Sequence, residues 1–243
     1  MTPLHPFQAT LVKKTQLPDH VFFLSFHIAD SSLSFTPGQY IIMDVPQANS
    51  SPIKRLYSIA SSNRQIADFD LLIKCVPGGI ASTYINNLTP NETVSFTGPA
   101  GLFGYKQTAT PKVFMTTGTG FAPIRSILSS FSPDDGVKKT LLWGMPTIKS
   151  VYLFDELRAF EKKLPSFSFF YCLSRETDLS TIPAELLHYF RLGRIDKVLF
   201  EFNNEKMMKN EYYFCGSREV VESLRLLFLS KNIDPNQLRF EKY

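Results

Sequence analysis

Apolar and polar residues alternate in short runs through the first hundred positions. His20–Ile28 ("HVFFLSFHI"), Gln39–Val45, Arg55–Ala60, Phe69–Val76 and Thr93–Thr97 each read as a strand with one buried face. Pro-Gly and Gly-Gly pairs fall between several of them, where the chain must turn. Short strands with frequent turn signals predict an antiparallel barrel or sandwich. After "GPAGLFGYKQTATP" the period changes. The apolar runs "KVFMTT", "KKTLLWG", "FSFFYCLSR" and "EYYFCGS" alternate with stretches of helical spacing. Phe154, Leu157, Phe160 and Leu164 mark one such helix, Ala184–Leu192 a second, and Glu219–Leu229 a third with Val220, Val221, Leu224 and Leu227 or Phe228 on one face. Alternating strands and helices predict a parallel sheet covered on both sides. The change of period divides the chain into residues 1–106 and 107–243, with no internal repeat.

Composition narrows the class. Of 243 residues 44% are hydrophobic, which is ample for one or two buried cores. Mean hydropathy is −0.06, and no apolar run approaches the ~18 residues of a membrane span. The opening "MTPLHPFQATLVKK" lacks the charged-then-apolar order of a secretory signal. The three cysteines, Cys75, Cys172 and Cys215, are odd in number and lack metal-ligand spacing. They read as reduced thiols in a cytoplasmic protein without a metal site. The formal charge of +4 is unevenly placed: six basic residues balance six acidic ones up to residue 105, and the rest of the chain carries 20 against 16. No dense Lys/Arg run exists, which argues against nucleic-acid binding. The mild excess suits an anionic cofactor or an acidic partner, and ordinary solvated charge accounts for most of it as well.

Several segments carry candidate chemistry. In "TTGTGFAPIRSIL" a strand meets a helix through Gly118-Thr119-Gly120. Glycines there allow a sharp turn and close approach to a pyrophosphate, next to the free N–H groups of a helix start. Pro123 fits the first turn and displaces the third glycine of the usual dinucleotide fingerprint, so a tight turn without ligand stays open. The second strand of this half ends "LLWGMPT", with no acid to hold the ribose of NAD. The third ends at Ser174-Arg175-Glu176, where a hydroxyl and a guanidinium could grip a 2′-phosphate. A surface arginine paired with Glu176 or Asp178 is the alternative. Cys215-Gly216 ends the last clear strand, and Cys215 is either a crevice residue or an inert buried thiol.

In the first half, "RLYSIASS" places Arg55 and Tyr57 on one strand face and Leu56 and Ser58 on the other. A planar cofactor could stack on Tyr57, bond to Ser58 and set a phosphate against Arg55. "VPGGIASTYI" then offers a second phosphate cradle at Gly79-Ile80-Ala81-Ser82-Thr83, before a short helix.

Taken in order, these motifs resemble the ferredoxin–NADP reductase superfamily of two-domain flavoproteins. The matches are R-x-Y-S at Arg55–Ser58, G-G-x-x-S around Gly79, G-P-x-G at Gly98–Gly101, G-T-G-x-A-P at Gly118–Pro123, S-R-E at Ser174–Glu176, Cys215-Gly216, and the terminus at Glu241 and Tyr243. The resemblance spans nearly the whole chain. It implies a six-stranded antiparallel flavin-binding barrel followed by a five-stranded parallel α/β domain for the nicotinamide nucleotide. It implies FAD as cofactor, by family habit, and NADP ahead of NAD.

By the same resemblance Tyr57 stacks on the flavin, Ser58 bonds beside its reactive nitrogen, and Arg55 pairs with its pyrophosphate. Ser82 and its neighbours hold further phosphate oxygens. The dinucleotide pyrophosphate lies on Gly118–Gly120. Cys215 and Glu241 line the nicotinamide side, and Tyr243 is a displaceable lid. Ser58, Cys215, Glu241 and Tyr243 are thus the candidate catalytic group. Two departures stand out. Gly144-Met145-Pro146 replaces a Gly-x-Arg common in the family, which throws weight onto Arg175, and Gly216-Ser217 replaces a Gly-Asn-Pro or Gly-Pro.

The implied function is hydride transfer between NADPH and FAD, with electrons passing to or from a separate carrier such as ferredoxin or flavodoxin. With three cysteines the chain has no four-cysteine iron–sulfur motif of its own. The alternatives are a reductase component of an oxygenase, a free-flavin reductase, or a non-enzymatic flavin-binding subunit of a larger redox complex. A monomer is expected.

Overall fold

The computed structural model describes residues 4–29, 33–47, 50–133, 136–201 and 208–243. The chain forms two compact units, Met1–Tyr105 with Ala122–Ser130, and Lys106–Phe121 with Phe131–Tyr243.

The first unit is a six-stranded antiparallel sheet curled into a half-barrel. Its strands are β1 (His5–Leu17), β2 (Val21–His27), β3 (Tyr40–Gln47), β4 (Ser50–Ser58), β5 (Asp68–Lys74) and β6 (Thr93–Ala100), bonded in the order β4-β3-β6-β1-β2-β5. The two edges meet at one end through a bridge between Ile59 and Leu71. This is the predicted antiparallel architecture. Strand β1, however, had no counterpart in the sequence pattern. Only Ala9 and Leu11 are buried along its length, and a bulge between Leu11 and Lys13 breaks the alternation.

The core centres on Phe26, Phe69 and Phe96. Phe26 stacks on Phe69 at 5.2 Å, and Phe96 meets Phe26 and Phe69 edge-on at 5.2 and 5.3 Å. Helix α1 (Ile80–Asn87) adds Ala81 and Ile85 to this core. It has no basic residue in its last turn. Lys14 of β1 fills that role: its Nζ donates to the carbonyls of Ile85, Asn86 and Leu88 at 2.7, 2.7 and 2.9 Å.

The second unit is a parallel sheet of six strands, one more than expected. They are β7 (Lys112–Thr117), β8 (Lys139–Met145), β9 (Phe167–Leu173), β10 (Phe190–Leu192), β11 (Glu211–Gly216) and β12 (Leu238–Lys242), in the order β10-β9-β8-β7-β11-β12. The helix expected over Ala184–Leu192 is instead a 3-10 turn at Ala184–Tyr189 followed by β10. Ring packing explains the change: Phe154 meets Tyr189 at 5.3 Å and stacks on Phe190 at 5.9 Å, which draws the segment flat against β9. Helix α2 (Phe121–Ser130) follows the loop after β7; beyond Phe121 it is counted with the first unit. Helix α3 (Phe154–Lys163) covers the aromatic face of Phe169 and Tyr171. Helices α4 (Ile195–Glu201) and α5 (Arg218–Ser230) cover the other face, where Val198, Val221, Leu224 and Phe228 join Met115, Leu142 and Phe214.

Three strands begin on charged residues that lie side by side: Lys139, Lys112 and Glu211. Lys112 Nζ reaches Glu211 Oε2 at 2.9 Å, and Glu211 also accepts from Thr108 Oγ1 at 2.9 Å and Tyr213 at 3.0 Å. Burial works to raise the Glu211 carboxyl. The hydrogen bonds and charge of Lys112, with Thr108 and Tyr213, outweigh it and hold the group below the usual carboxylate range. Desolvation pulls Lys112 down, and Glu211 opposes that pull, so the pair stays charged by mutual contact.

A depressed carboxylate contributes stability that is present above its unfolded value and lost as pH falls through its folded value. Glu211→Ala, which takes the carboxylate away from the buried Lys112 charge, should cost about 3 kcal/mol in neutral urea denaturation. Glu211→Gln should flatten the acid limb of the stability profile. An unchanged limb would remove this pair from the account of acid stability.

Candidate functional site

In the first unit the strand register puts Ile53, Arg55 and Tyr57 opposite Val45, Met43 and Ile41, residues of the buried face. Leu56 and Ser58 point the other way, as alternation required, and Leu56 is 56% exposed. Tyr57 is half-buried and packs against the core. Burial pushes its hydroxyl up to about 12, with the Arg55 guanidinium opposing. The phenol therefore stays neutral and offers a ring face. Arg55 is exposed and donates to the Lys54 carbonyl at 2.9 Å.

Gly79 stands at the N-cap of α1, with no side-chain cap and no acidic residue in the first turn. The first N–H groups of a helix have no partner within it. A donor set of backbone N–H groups without competing carboxylates fits a phosphate. Ile80 is exposed, whereas Ala81 and Ser82 are buried. The Ser82 hydroxyl accepts from the Val76 N–H at 2.9 Å, so it fastens the turn to the helix. Thr83 Oγ1 donates to the Gly79 carbonyl at 3.1 Å.

In the second unit Gly118-Thr119-Gly120 forms a 3-10 turn between β7 and α2. Gly118 has φ +51°, in the left-handed region, and a Cβ built on it would meet no atom within 4 Å. At Gly120 the reverse holds. A Cβ there would lie 2.4 Å from the Cys215 carbonyl oxygen and 2.7 Å from Thr116 Oγ1. The loop is thus sealed on the protein side and open where a pyrophosphate would lie.

Ser174 and Arg175 extend β9 at its C-terminal end, where their N–H groups donate to the carbonyls of Met145 and Pro146 at 3.0 and 2.8 Å. Both side chains are exposed. Glu176 accepts from the Ile148 N–H at 2.9 Å, and Asp178 accepts from Ser180. Both acids that could have paired with Arg175 are engaged elsewhere, and Arg175 has no ion pair among the described residues.

Cys215 and Glu241 are neighbours in register on β11 and β12. Cys215 is 2% exposed; burial, reinforced by the Glu241 charge, pushes its thiol up, so it stays protonated. Tyr243 follows β12. Its N–H donates to the Gly216 carbonyl at 3.4 Å and its hydroxyl to the Thr117 carbonyl at 3.4 Å. The residue is 63% exposed while the hydroxyl lies among main-chain groups of the loop, where desolvation pushes it up to about 12.

Two residues were not singled out from sequence. Arg194 follows β10, and the Gly193 N–H donates to the Leu173 carbonyl at 2.9 Å, which brings Gly193-Arg194 beside Ser174-Arg175. Its signal was a Gly-Arg pair just past the helix expected over Ala184–Leu192. Trp143 lies inside "LLWG", where nothing distinguishes it from ordinary core. Among the described residues no group of His, Cys, Asp and Glu could hold a metal ion. No described helix is long and apolar enough to cross a membrane.

Family comparisons now bear on both units. The family described as an oxidoreductase FAD-binding domain matches residues 8–105, and that described as an oxidoreductase NAD-binding domain matches residues 114–225. The chain belongs to the FAD- and NAD-binding oxidoreductases of the ferredoxin reductase superfamily. It is 25% identical to the toluate 1,2-dioxygenase electron transfer component of Pseudomonas putida, over 98% of this chain and 67% of that one. It is 35% identical to ferredoxin–NADP reductase B of Sorangium cellulosum, over 65% of this chain and 66% of that one. Among solved structures, the Amycolatopsis cytochrome P450 reductase GcoB shares the fold with a TM-score of 0.86 at 23% identity, covering 100% of this chain and 71% of that one. The chain spans about half to two thirds of the length of the curated relatives it matches.

Proposed function

We propose that this oxidoreductase passes hydride between NADPH and FAD and exchanges electrons with a separate redox carrier, ferredoxin or flavodoxin. The reading is carried by the succession, in one chain, of an FAD-binding and an NAD-binding module. Each contains a main-chain anion cradle without an acidic side chain in its first turn. When bound, the flavin supplies the redox chemistry; the protein supplies binding, orientation and electrostatics.

In this reading the neutral Tyr57 ring supports the flavin and Arg55 balances its phosphates. The start of α1 holds phosphate through main-chain N–H groups, with Ser82 shaping the turn. Gly118–Gly120 takes the dinucleotide pyrophosphate. Ser58 bonds beside the flavin's reacting nitrogen, and the protonated Cys215 with Glu241 borders the nicotinamide. Arg175 grips the 2′-phosphate through charge-assisted hydrogen bonds; Arg194 beside it is ion-paired with Asp196 at 3.3 Å. A second reading, the reductase component of an oxygenase, draws support from the similarity to the toluate dioxygenase component along 98% of the chain. Acceptor assays with ferredoxin, flavodoxin and an oxygenase component separate the two. A cytoplasmic monomer completes the proposal.

Anaerobic titration with NADPH and NADH, followed by the flavin spectrum, tests the reading at its root. NADPH should bleach the flavin at lower concentration than NADH. Arg175→Ala should raise the KM for NADPH about tenfold, the loss of one charge-assisted contact, and leave that for NADH alone. Equal effects on both nucleotides would return Arg175 to the ordinary surface.

Ser58→Ala should slow flavin reduction in stopped flow by at least about tenfold while FAD content is retained. An unaltered rate sinks that role. Deleting Tyr243 should tighten binding of both nucleotides and narrow the preference between them, because a competing ring is removed. Unmoved dissociation constants would show that the tyrosine covers nothing.

A further inference from the structure

The side chain beneath the dinucleotide loop is Trp143, the only tryptophan in the chain. It is fully buried on β8, next in register to Thr116 on one side and Tyr171 on the other. Its indole stacks on Phe121 at 4.0 Å and on Tyr171 at 5.4 Å, and Tyr152 abuts it edge-on at 5.1 Å. Three rings leave the indole no room to turn. Its Nε1–H donates to the carbonyl oxygen of Gly118 at 3.1 Å. The Phe121 N–H donates to the same oxygen.

That oxygen belongs to the peptide unit joining Gly118 to Thr119. In a trans peptide the C=O and N–H point in opposite directions. A Gly118 oxygen drawn inward by the indole therefore turns the Thr119 N–H outward. A flip of this unit rotates ψ of Gly118, where no Cβ stands in the way, together with φ of Thr119. The acceptor side adds a restraint to whatever Thr119 supplies. Flipping the unit would break the bond and leave a buried indole N–H unpaired, which is the costly outcome for a polar group out of water.

We infer that Trp143 is a positioning residue for nucleotide binding: its indole N–H locks the Gly118–Thr119 peptide with the Thr119 N–H presented to the pyrophosphate of NADP(H). The inference rests on the proposed assignment of Gly118–Gly120 to that pyrophosphate. Trp143 touches no substrate and acts only through the loop.

Trp143→Phe keeps the ring stack and removes the donor. The dissociation constant for NADP+ should rise roughly three- to tenfold, the factor that one neutral hydrogen bond produces. Affinity for adenosine 2′-monophosphate, which has no pyrophosphate, should stay the same. The KM for NADPH should rise by the NADP+ factor while kcat holds, the signature of lost uniform binding. A variant that binds NADP+ as tightly as the parent, or that loses both ligands equally, overturns the assignment. A parent protein that binds neither NADP+ nor NAD+ overturns the functional reading instead.

The unmutated protein gives a second measurement that does not depend on the variant folding. With ¹⁵N-labelled tryptophan there is one indole N–H signal, and saturation with NADP+ should shift it and slow its hydrogen exchange. A signal that ignores NADP+ while the nucleotide is bound rules the lock out.

Discussion

No side chain fits between residue 120 and the backbone of β11. That exclusion sets the geometry of the nucleotide edge in the second unit. Gly120, in the loop after β7, lies main chain to main chain against Cys215 at the end of β11, and the Thr116 hydroxyl closes the same gap. Gly216 repeats the constraint from the other strand, since a Cβ there would lie 2.7 Å from Thr117 Oγ1. Once these backbones are fixed, parallel register carries the rest. It sets Thr117 beside Gly144, Cys215 beside Glu241, and Met145 beside Leu173, just before Ser174. The proposed nucleotide site would draw its affinity largely from main-chain donors, with only a few side chains at its rim to choose between nucleotides.

The strands buried on both faces were easy to read. β7, β8, β9 and β11 are continuous apolar runs, because a central parallel strand has no wet side. The half-barrel strands with clean alternation were also legible, and so was the short helix after Gly79. β1 was not, because its bulge shifts the alternation by one and most of its residues face solvent. β10 was misread for a different reason. Its residues have an apolar spacing that suits a helix, and tertiary ring packing with Phe154 and Tyr171 decides against it. A pattern along the chain cannot report a partner supplied from another part of the sequence.

The candidate site shows the same division. Motifs located the loops, and the structure placed Cys215 beside Glu241 and left Arg175 without either of its neighbouring acids. What the motifs could not tell was which way a side chain faces. Ser82 reads as a phosphate donor; its oxygen accepts from the Val76 N–H, which fixes the side chain and leaves its own O–H to donate. Arg194 lies just past β10, the strand that the helical spacing concealed. Trp143 had no signal at all, since its function lies in one N–H aimed at a carbonyl twenty-five positions earlier.

The capping of α1 by Lys14 bears on the order of assembly. An eight-residue helix is too short to persist alone in water. Its C-terminal carbonyls find their cation on β1, more than seventy residues away in sequence. The helix start proposed for the flavin phosphates is therefore tied to β1, which sits between β2 and β6. A cofactor held there would bind the native chain in preference to the unfolded one, and would stabilise the fold by an amount set by its free concentration against its dissociation constant.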